Sequence, residues 1–207
     1  MGLLSFFLAF WLGIAFSAPP GIVTIESIRQ GLKGGYWSAF AVGLGSLIGD
    51  GTYAVLAFSG LSFIVQNNII KFMVGLVGIC FLVYLAISAF KVKYLPKIEG
   101  DIVSSNKNRT AFINGAILSL TNPWAIAFWL SFGGILISSG ISTNSENLWL
   151  FLITFLAGAA SWVFILSGLI AFGKKFINDK VFHAISFISG LIFLGTAGYA
   201  IWKLTTA

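Results

Sequence analysis

Charge, cysteine and histidine are scarce in this chain of 207 residues, and each shortage removes a class of function. Only 9% of the residues are charged, where a soluble domain carries roughly a quarter. With 58% hydrophobic residues, the chain reads as an integral membrane protein. Cys80 is the one cysteine, which excludes an intrachain disulfide, a CxxC metal site and a dithiol redox pair. It reads as a small apolar filler in the third span. The one histidine, His183, lies far from it, and no paired acids fall within an apolar run, so no metal cluster is visible. No Walker motif or other nucleotide-binding loop occurs. No cofactor is expected, and energy for any work must come from an ion gradient. An intramembrane enzyme needs a nucleophile beside a base or a metal; Ser46 and His183 have no reason in the sequence to meet, so no catalytic residue is assigned.

What the chain has in abundance is apolar runs. They fall at about Leu3 to Ile25, Trp37 to Val65, Phe72 to Phe90, Ala111 to Ser138, Leu148 to Phe172 and Val181 to Trp202. Each reaches the roughly 20 residues needed to cross a bilayer. Lipid leaves only helices or closed barrels, and no ten-residue alternation is present. The expectation is an all-α membrane protein of six transmembrane helices in one domain, residues 1–207. Ala15-Phe16-Ser17-Ala18 resembles a signal-peptidase site, but no positive n-region precedes it and another apolar segment follows, so the first run is expected to be a retained helix.

Twelve Lys and Arg against six Asp and Glu, with a pI near 9.6, do not imply nucleic acid here, because the cations flank the apolar runs. They set topology. Ten of the twelve fall in the first, third and fifth loops: Arg29 and Lys33; Lys91, Lys93, Lys97, Lys107 and Arg109; Lys174, Lys175 and Lys180. Those loops are expected in the cytoplasm and both termini outside. The stretch 94–108, with Pro96, Gly100, Ser104 and Ser105, reads as a cytoplasmic linker. It separates repeat one, about 1–93, from repeat two, about 109–207. Three helices on each side of such a linker give two inverted repeats.

Both repeats interrupt their first helix at corresponding places, with Pro19-Pro20-Gly21 in helix one and Asn122-Pro123 in helix four. Adjacent prolines strip donors from carbonyls one turn back, and hydrocarbon does not tolerate bare carbonyls unless they face a polar cavity or a ligand. At a rise of about 1.5 Å per residue, Pro19 lies about 15 Å from Arg29 and Pro123 about 21 Å from Arg109, both deep in the membrane. Asp50 stands in Gly43-Leu44-Gly45-Ser46-Leu47-Ile48-Gly49-Asp50-Gly51 with no Lys or Arg at its depth. An intramembrane carboxyl of this kind is a functional candidate, as a proton carrier or as a partner for a ligand ammonium group; its structural reading is a hydrogen-bonded packing residue or a cap at Gly51. Ala41, Gly45 and Gly49 form a small-residue stripe on the same helix, suited to packing inside the bundle and to homodimerisation alike. Glu26 lies one turn from Arg29 and Gln30, which suits a local pair, and it also stands near the first break as a second carboxyl for an inner vestibule. Thr121, Trp124 and Trp129 flank the second break, where bare amides can meet a carboxylate and bare carbonyls an ammonium group. Tyr53 and Trp162 read as packing or cavity-lining aromatics, and His183 as interfacial.

Taken in order, Pro20-Gly21, Gln30-Gly31, Gly34-Gly35, Gly43, Gly49-Asp50 and Asn122-Pro123-Trp124-Ala125 resemble the lysine exporter (LysE/RhtB) family across the whole chain. The resemblance implies export of amino acids or related metabolites across the bacterial plasma membrane, coupled to proton entry. It puts Pro20, Gly21, Asp50, Asn122 and Pro123 at the family's characteristic positions. Pro19-Pro20-Gly21-Ile22 replaces the Pro-Gly-Pro common in the family, and Glu26 is an additional acid that points toward a cationic substrate. The implied mechanism has the two repeats rocking around a midplane site formed by Pro19, Pro20, Gly21, Asn122 and Pro123. The alternatives are a transporter of metal ions or other small solutes from the same superfamily, and a membrane scaffold that moves nothing.

Overall fold

In the computed structural model the described residues are 3–64, 68–92, 108–138, 145–172 and 178–206. They form α1 (Leu3–Ser17), α2 (Ile22–Ile64), α3 (Asn68–Lys91), α4 (Asn108–Leu120), α5 (Pro123–Ser138), α6 (Ser145–Phe172) and α7 (Asp179–Thr206), with no strand among them. An all-α membrane protein is what the composition implies. Three helices carry stretches long and apolar enough to cross a membrane, at Ile22–Ala57, Asn147–Phe172 and Asp179–Trp202; α4 and α5 together make a fourth, bent by 57°. The apolar stretches of α1 and α3 are shorter. The expected linker 94–108 lies, but for Asn108, outside the described residues.

The first connection departs from the expectation. Arg29 and Lys33 were assigned to a loop, yet they belong to α2, which begins at Ile22 immediately after the proline break. Residues 22–33 contain no proline and a single glycine, so nothing stops helix propagation there. The chain bends instead at Gly35, whose φ of 71° and ψ of −161° lie outside the helical region, a conformation glycine adopts at little cost. Without that bend the 43 residues of α2 would run about 65 Å, twice the hydrocarbon thickness. The first expected run, Leu3 to Ile25, thus falls on α1, the Pro19-Pro20 break and the start of α2, and the second falls on α2 beyond the bend.

Two close helix crossings organise the bundle. Where α2 meets α4, a Cβ on Gly45 would overlap the Phe112 carbonyl oxygen, and one on Gly115 would overlap the Val42 carbonyl oxygen. Where α1 meets α6, Gly13 faces the Phe155 carbonyl oxygen and Gly158 faces that of Phe10 in the same reciprocal way. Without a side chain on either partner, backbones touch along their length and dispersion contacts accumulate, which is the main source of helix association in lipid. The stripe of Ala41, Gly45 and Gly49 is thus covered by α4 of the same chain, with Ala41 packed beside Ala111 and Gly49 beside Ser119. A homodimer through that stripe would have to displace α4.

Adjoining the α1–α6 crossing lies an aromatic core in which α1, α5 and α6 interlock. Phe16 and Phe128 stand 4.2 Å apart between ring centroids, Trp129 packs edge-on to Phe155 at 4.8 Å, and Phe132 stacks on Phe128 and Phe151. Offset and edge-on ring pairs of this kind add about 0.5–1.5 kcal/mol each beyond the area they bury. Gly115→Ala should lower stability by about 1–3 kcal/mol, because the new methyl group meets backbone that cannot yield. Gly198→Ala, where the methyl meets nothing, should be neutral or stabilising by up to about 1 kcal/mol. Denaturant unfolding of the two variants in micelles measures the difference.

Candidate substrate site

Both helix breaks open into one cavity of about 340 Å³, at the lower end of the roughly 300–1,000 Å³ range of small-molecule sites. Pro19, Pro20 and Gly21 line it from the first break, Asn122 and Trp124 from the second, Asp50 from α2 and Trp162 from α6. Hydroxyls of Ser17, Ser27, Ser46, Ser88, Ser119 and Ser167 come with residues of the same lining. The apolar wall consists of Phe16, Leu85, Val163, Leu166 and Phe193.

Asp50 is 5% exposed in an uninterrupted part of α2, so its reading as a cap at Gly51 does not hold. Ser119 donates its hydroxyl proton to Oδ1 at 3.4 Å, and the Trp129 indole is directed to the same carboxyl. Gly49 makes the first contact: a side chain there would occupy the place of the Ser119 hydroxyl. The Gly-Asp pair therefore has a division of labour, with glycine admitting the serine that the aspartate binds. Ser46, one turn before Asp50, returns its own hydroxyl to the Gly43 carbonyl at 2.8 Å.

The second break is closed by its own residues together with Tyr53 of α2. Thr121 donates its amide to the Ile117 carbonyl at 2.9 Å and its hydroxyl to the same oxygen at 2.8 Å. The Asn122 amide reaches the Ser119 carbonyl at 3.1 Å, and the Tyr53 hydroxyl donates to the Leu120 carbonyl. On the far side Asn122 Oδ1 caps α5 by accepting the Trp124 amide at 3.1 Å, while its carbonyl accepts from Ala125 and Ile126. Asn122 thus satisfies freed backbone groups, and Pro123, as the first residue of α5, sits where a missing N–H costs nothing. Trp124 stacks on Tyr84 at 5.4 Å with the rings 8° apart.

The first break is not closed. Pro19 and Pro20 have no N–H to return to the Ala15 and Phe16 carbonyls, and neither Gly21 nor Ile22 donates to Ser17 or Ala18. On the other side, Gly21 carries no side chain to cap α2. The Ile22, Val23 and Thr24 amides have no acceptor among the described residues; the first paired amide is that of Ile25, on the Gly21 carbonyl at 3.0 Å. Thr24 Oγ1 reaches back to the Pro19 carbonyl at 3.4 Å.

Of the residues singled out in the sequence, Pro19, Pro20, Gly21, Asp50 and Asn122 come together and Glu26 does not. Glu26 is 8% exposed, with Oε2 on Arg29 Nε at 2.8 Å and Oε1 accepting from Gln30 Nε2 at 2.7 Å, and it is absent from the cavity wall. Its neighbours three and four residues on satisfy it, which was legible in the spacing. Tyr53 also serves a backbone carbonyl and not the cavity. Ser119 was missed, since nothing in its local sequence links it to a residue 69 positions away; Ser46, one turn from Asp50, was findable.

The chain's residues 14–203 match the family model described as LysE type translocator. The chain belongs to the LysE translocator family. Among its relatives is the Chemotactic transduction protein ChpE of Pseudomonas aeruginosa, 31% identical over 96% of this chain and 98% of that one. The Bacillus subtilis protein carried under the name "Putative amino acid efflux protein YcgF" is 30% identical over 88% of each chain. A Leucine efflux protein of Salmonella typhimurium is 32% identical over 52% of this chain and 49% of its own. No solved structure matches. LysE proteins are multi-pass membrane transporters and not enzymes.

Tyr53→Phe leaves the Leu120 carbonyl without its donor inside the membrane, and should cost about 1–3 kcal/mol. Asn122→Ala removes the α5 cap and should cost about 0.5–2 kcal/mol. Both losses are read from unfolding in micelles.

Proposed function

We propose that this protein exports neutral amino acids from the bacterial cytoplasm by alternating access, driven by proton entry through Asp50. The observation that carries the reading is the single cavity at which both interrupted helices and the buried carboxyl of Asp50 meet. A relative named for amino acid efflux over 88% of its length and others named for leucine efflux support amino acids as the solute. The apolar wall of Phe16, Leu85, Val163, Leu166 and Phe193 supports a neutral, apolar side chain. A cationic substrate loses its rationale, because Glu26 is held by Arg29 and Gln30 away from the cavity.

The inverted repeats, 1–93 and 109–207 about the linker 94–108, draw support from the two glycine crossings. In one, the first helix of repeat one packs on the second long helix of repeat two; in the other, the relation is reversed. The same crossings change which bodies move. Backbone contact between α1 and α6, and between α2 and α4, is lost if the repeats separate, so the units that rock are these crossed pairs, each drawing one helix from each repeat. Odd-numbered loops in the cytoplasm and termini outside remain the orientation favoured by the cations.

Asp50 reaches Ser119 and Trp129 but no cation among the described residues, so as an anion it would stand in a low-dielectric site without a charged partner there. Loading a proton from outside and losing it inside converts that cost into coupling between proton entry and substrate exit. In proteoliposomes containing labelled L-leucine, an imposed pH gradient should drive efflux by the native protein. Asp50→Asn, which mimics the protonated form, should lose gradient-driven efflux while retaining leucine–leucine exchange. Gradient-driven efflux that persists in this variant would remove Asp50 from the proton path.

A further inference from the structure

The two helix breaks differ in one respect that bears on how a substrate is held: the second is closed largely by Thr121, Asn122 and Tyr53, whereas the first leaves the Phe16 and Ser17 carbonyls and the Ile22, Val23 and Thr24 amides without a partner among the described residues. We propose that the first break is the main-chain clamp of the transporter, in which the Ile22, Val23 and Thr24 amides bind the substrate α-carboxylate and the Phe16 and Ser17 carbonyls bind its α-ammonium group. The inference rests on the exporter reading above and deepens it by assigning the two ends of the substrate.

The geometry of helices orients both sets of groups. Carbonyls at the end of α1 point along its axis into the break, and amides at the start of α2 point back into it, with partial negative and positive charge respectively. Phe16, Ser17, Ile22, Val23 and Thr24 all line the cavity, so in the membrane their backbone groups are satisfied only by what fills it, water or a ligand. A second observation points to a ligand on the donor side. Trp162 is only 7% exposed, lines the same cavity and packs against Ala18 at the break, yet its indole N–H has no acceptor among the described residues. A carboxylate beside the α2 amides supplies an acceptor for donors of this kind; an aliphatic solute supplies none.

The choice of residue at position 21 fits the same requirement. At the corresponding place in the second break stands Asn122, whose side chain occupies the α5 amides. Gly21 leaves the α2 amides open although its Cβ direction is empty, with no atom within 4 Å. Space for a Cβ therefore does not dictate glycine here. With both charged ends of the substrate held at the first break, its side chain faces the apolar wall and the Asp50 side of the cavity, which separates recognition from proton coupling.

The test places the cap of the second break into the first. Gly21→Asn should occupy the α2 amides from within and raise the half-saturating L-leucine concentration for exchange in proteoliposomes at least tenfold over Gly21→Ala, while its unfolding temperature equals or exceeds that of the alanine variant. In the native protein, 4-methylpentanoate and isoamylamine, which are leucine without the ammonium group and without the carboxylate, should each compete at least a hundredfold more weakly than norleucine. Equal half-saturation in the two variants, or competition by either analogue matching norleucine, would overturn the clamp while native leucine flux leaves the exporter standing. Absence of leucine flux and exchange in the native protein would overturn both.

Discussion

Every peptide group inside a bilayer needs a hydrogen-bond partner, and the architecture of this protein follows from where that requirement is met and where it is left open. Helices meet it along their length and fail at their ends. An unbroken helix hides its ends in the headgroup region, but Pro19-Pro20 and Asn122-Pro123 place ends inside the apolar part of the chain. At the second of these the protein supplies most partners from Thr121, Asn122 and Tyr53. At the first it supplies few, and the cavity lies against the unsatisfied groups.

Holding such a cavity open takes a frame that does not collapse, and glycine provides it. Gly45 and Gly115 at one crossing, Gly13 and Gly158 at the other, bring helix backbones into direct contact. Gly49 extends the first crossing to Ser119 and so to Asp50. The stripe that packs the bundle thus also positions the buried carboxyl. A substitution in this row alters stability and the polar site together, and only a readout that separates binding from unfolding distinguishes the two.

Much of this was legible in the sequence, for physical reasons that also explain the rest. Proline removes a donor wherever it stands, so both breaks could be read directly. Asp50 stood out because apolar runs rarely hold an acid, and the helical runs followed from length and hydropathy. The helix over residues 22–34 was missed because Arg29 and Lys33 were read as loop markers, whereas cations mark a membrane boundary without ending a helix. The bend had to be at a glycine, and Gly34-Gly35 offered it, but the φ of 71° at Gly35 is a tertiary outcome. Which break is closed was not legible, since closing the second depends on Tyr53, 67 positions from Leu120. Local spacing described Glu26 correctly as the partner of Arg29 and Gln30; placing it in a vestibule gave proximity in sequence more weight than that satisfied pair allowed.

Motion is constrained by the same contacts. Interfaces in which backbones touch hold one arrangement or separate, because packed contacts are bistable and not continuously deformable. The α1–α6 and α2–α4 crossings are therefore the parts least able to slide. Change must fall on the segments between them: Gly35, whose Cβ direction is empty, and the proline break with its bare backbone groups. Both bound residues 22–34, and this short helix is joined to the crossed pairs by a glycine at one end and by the open break at the other. The proposed clamp sits at the N-terminus of this short helix, so under that proposal substrate binding and the start of a conformational change fall on the same element.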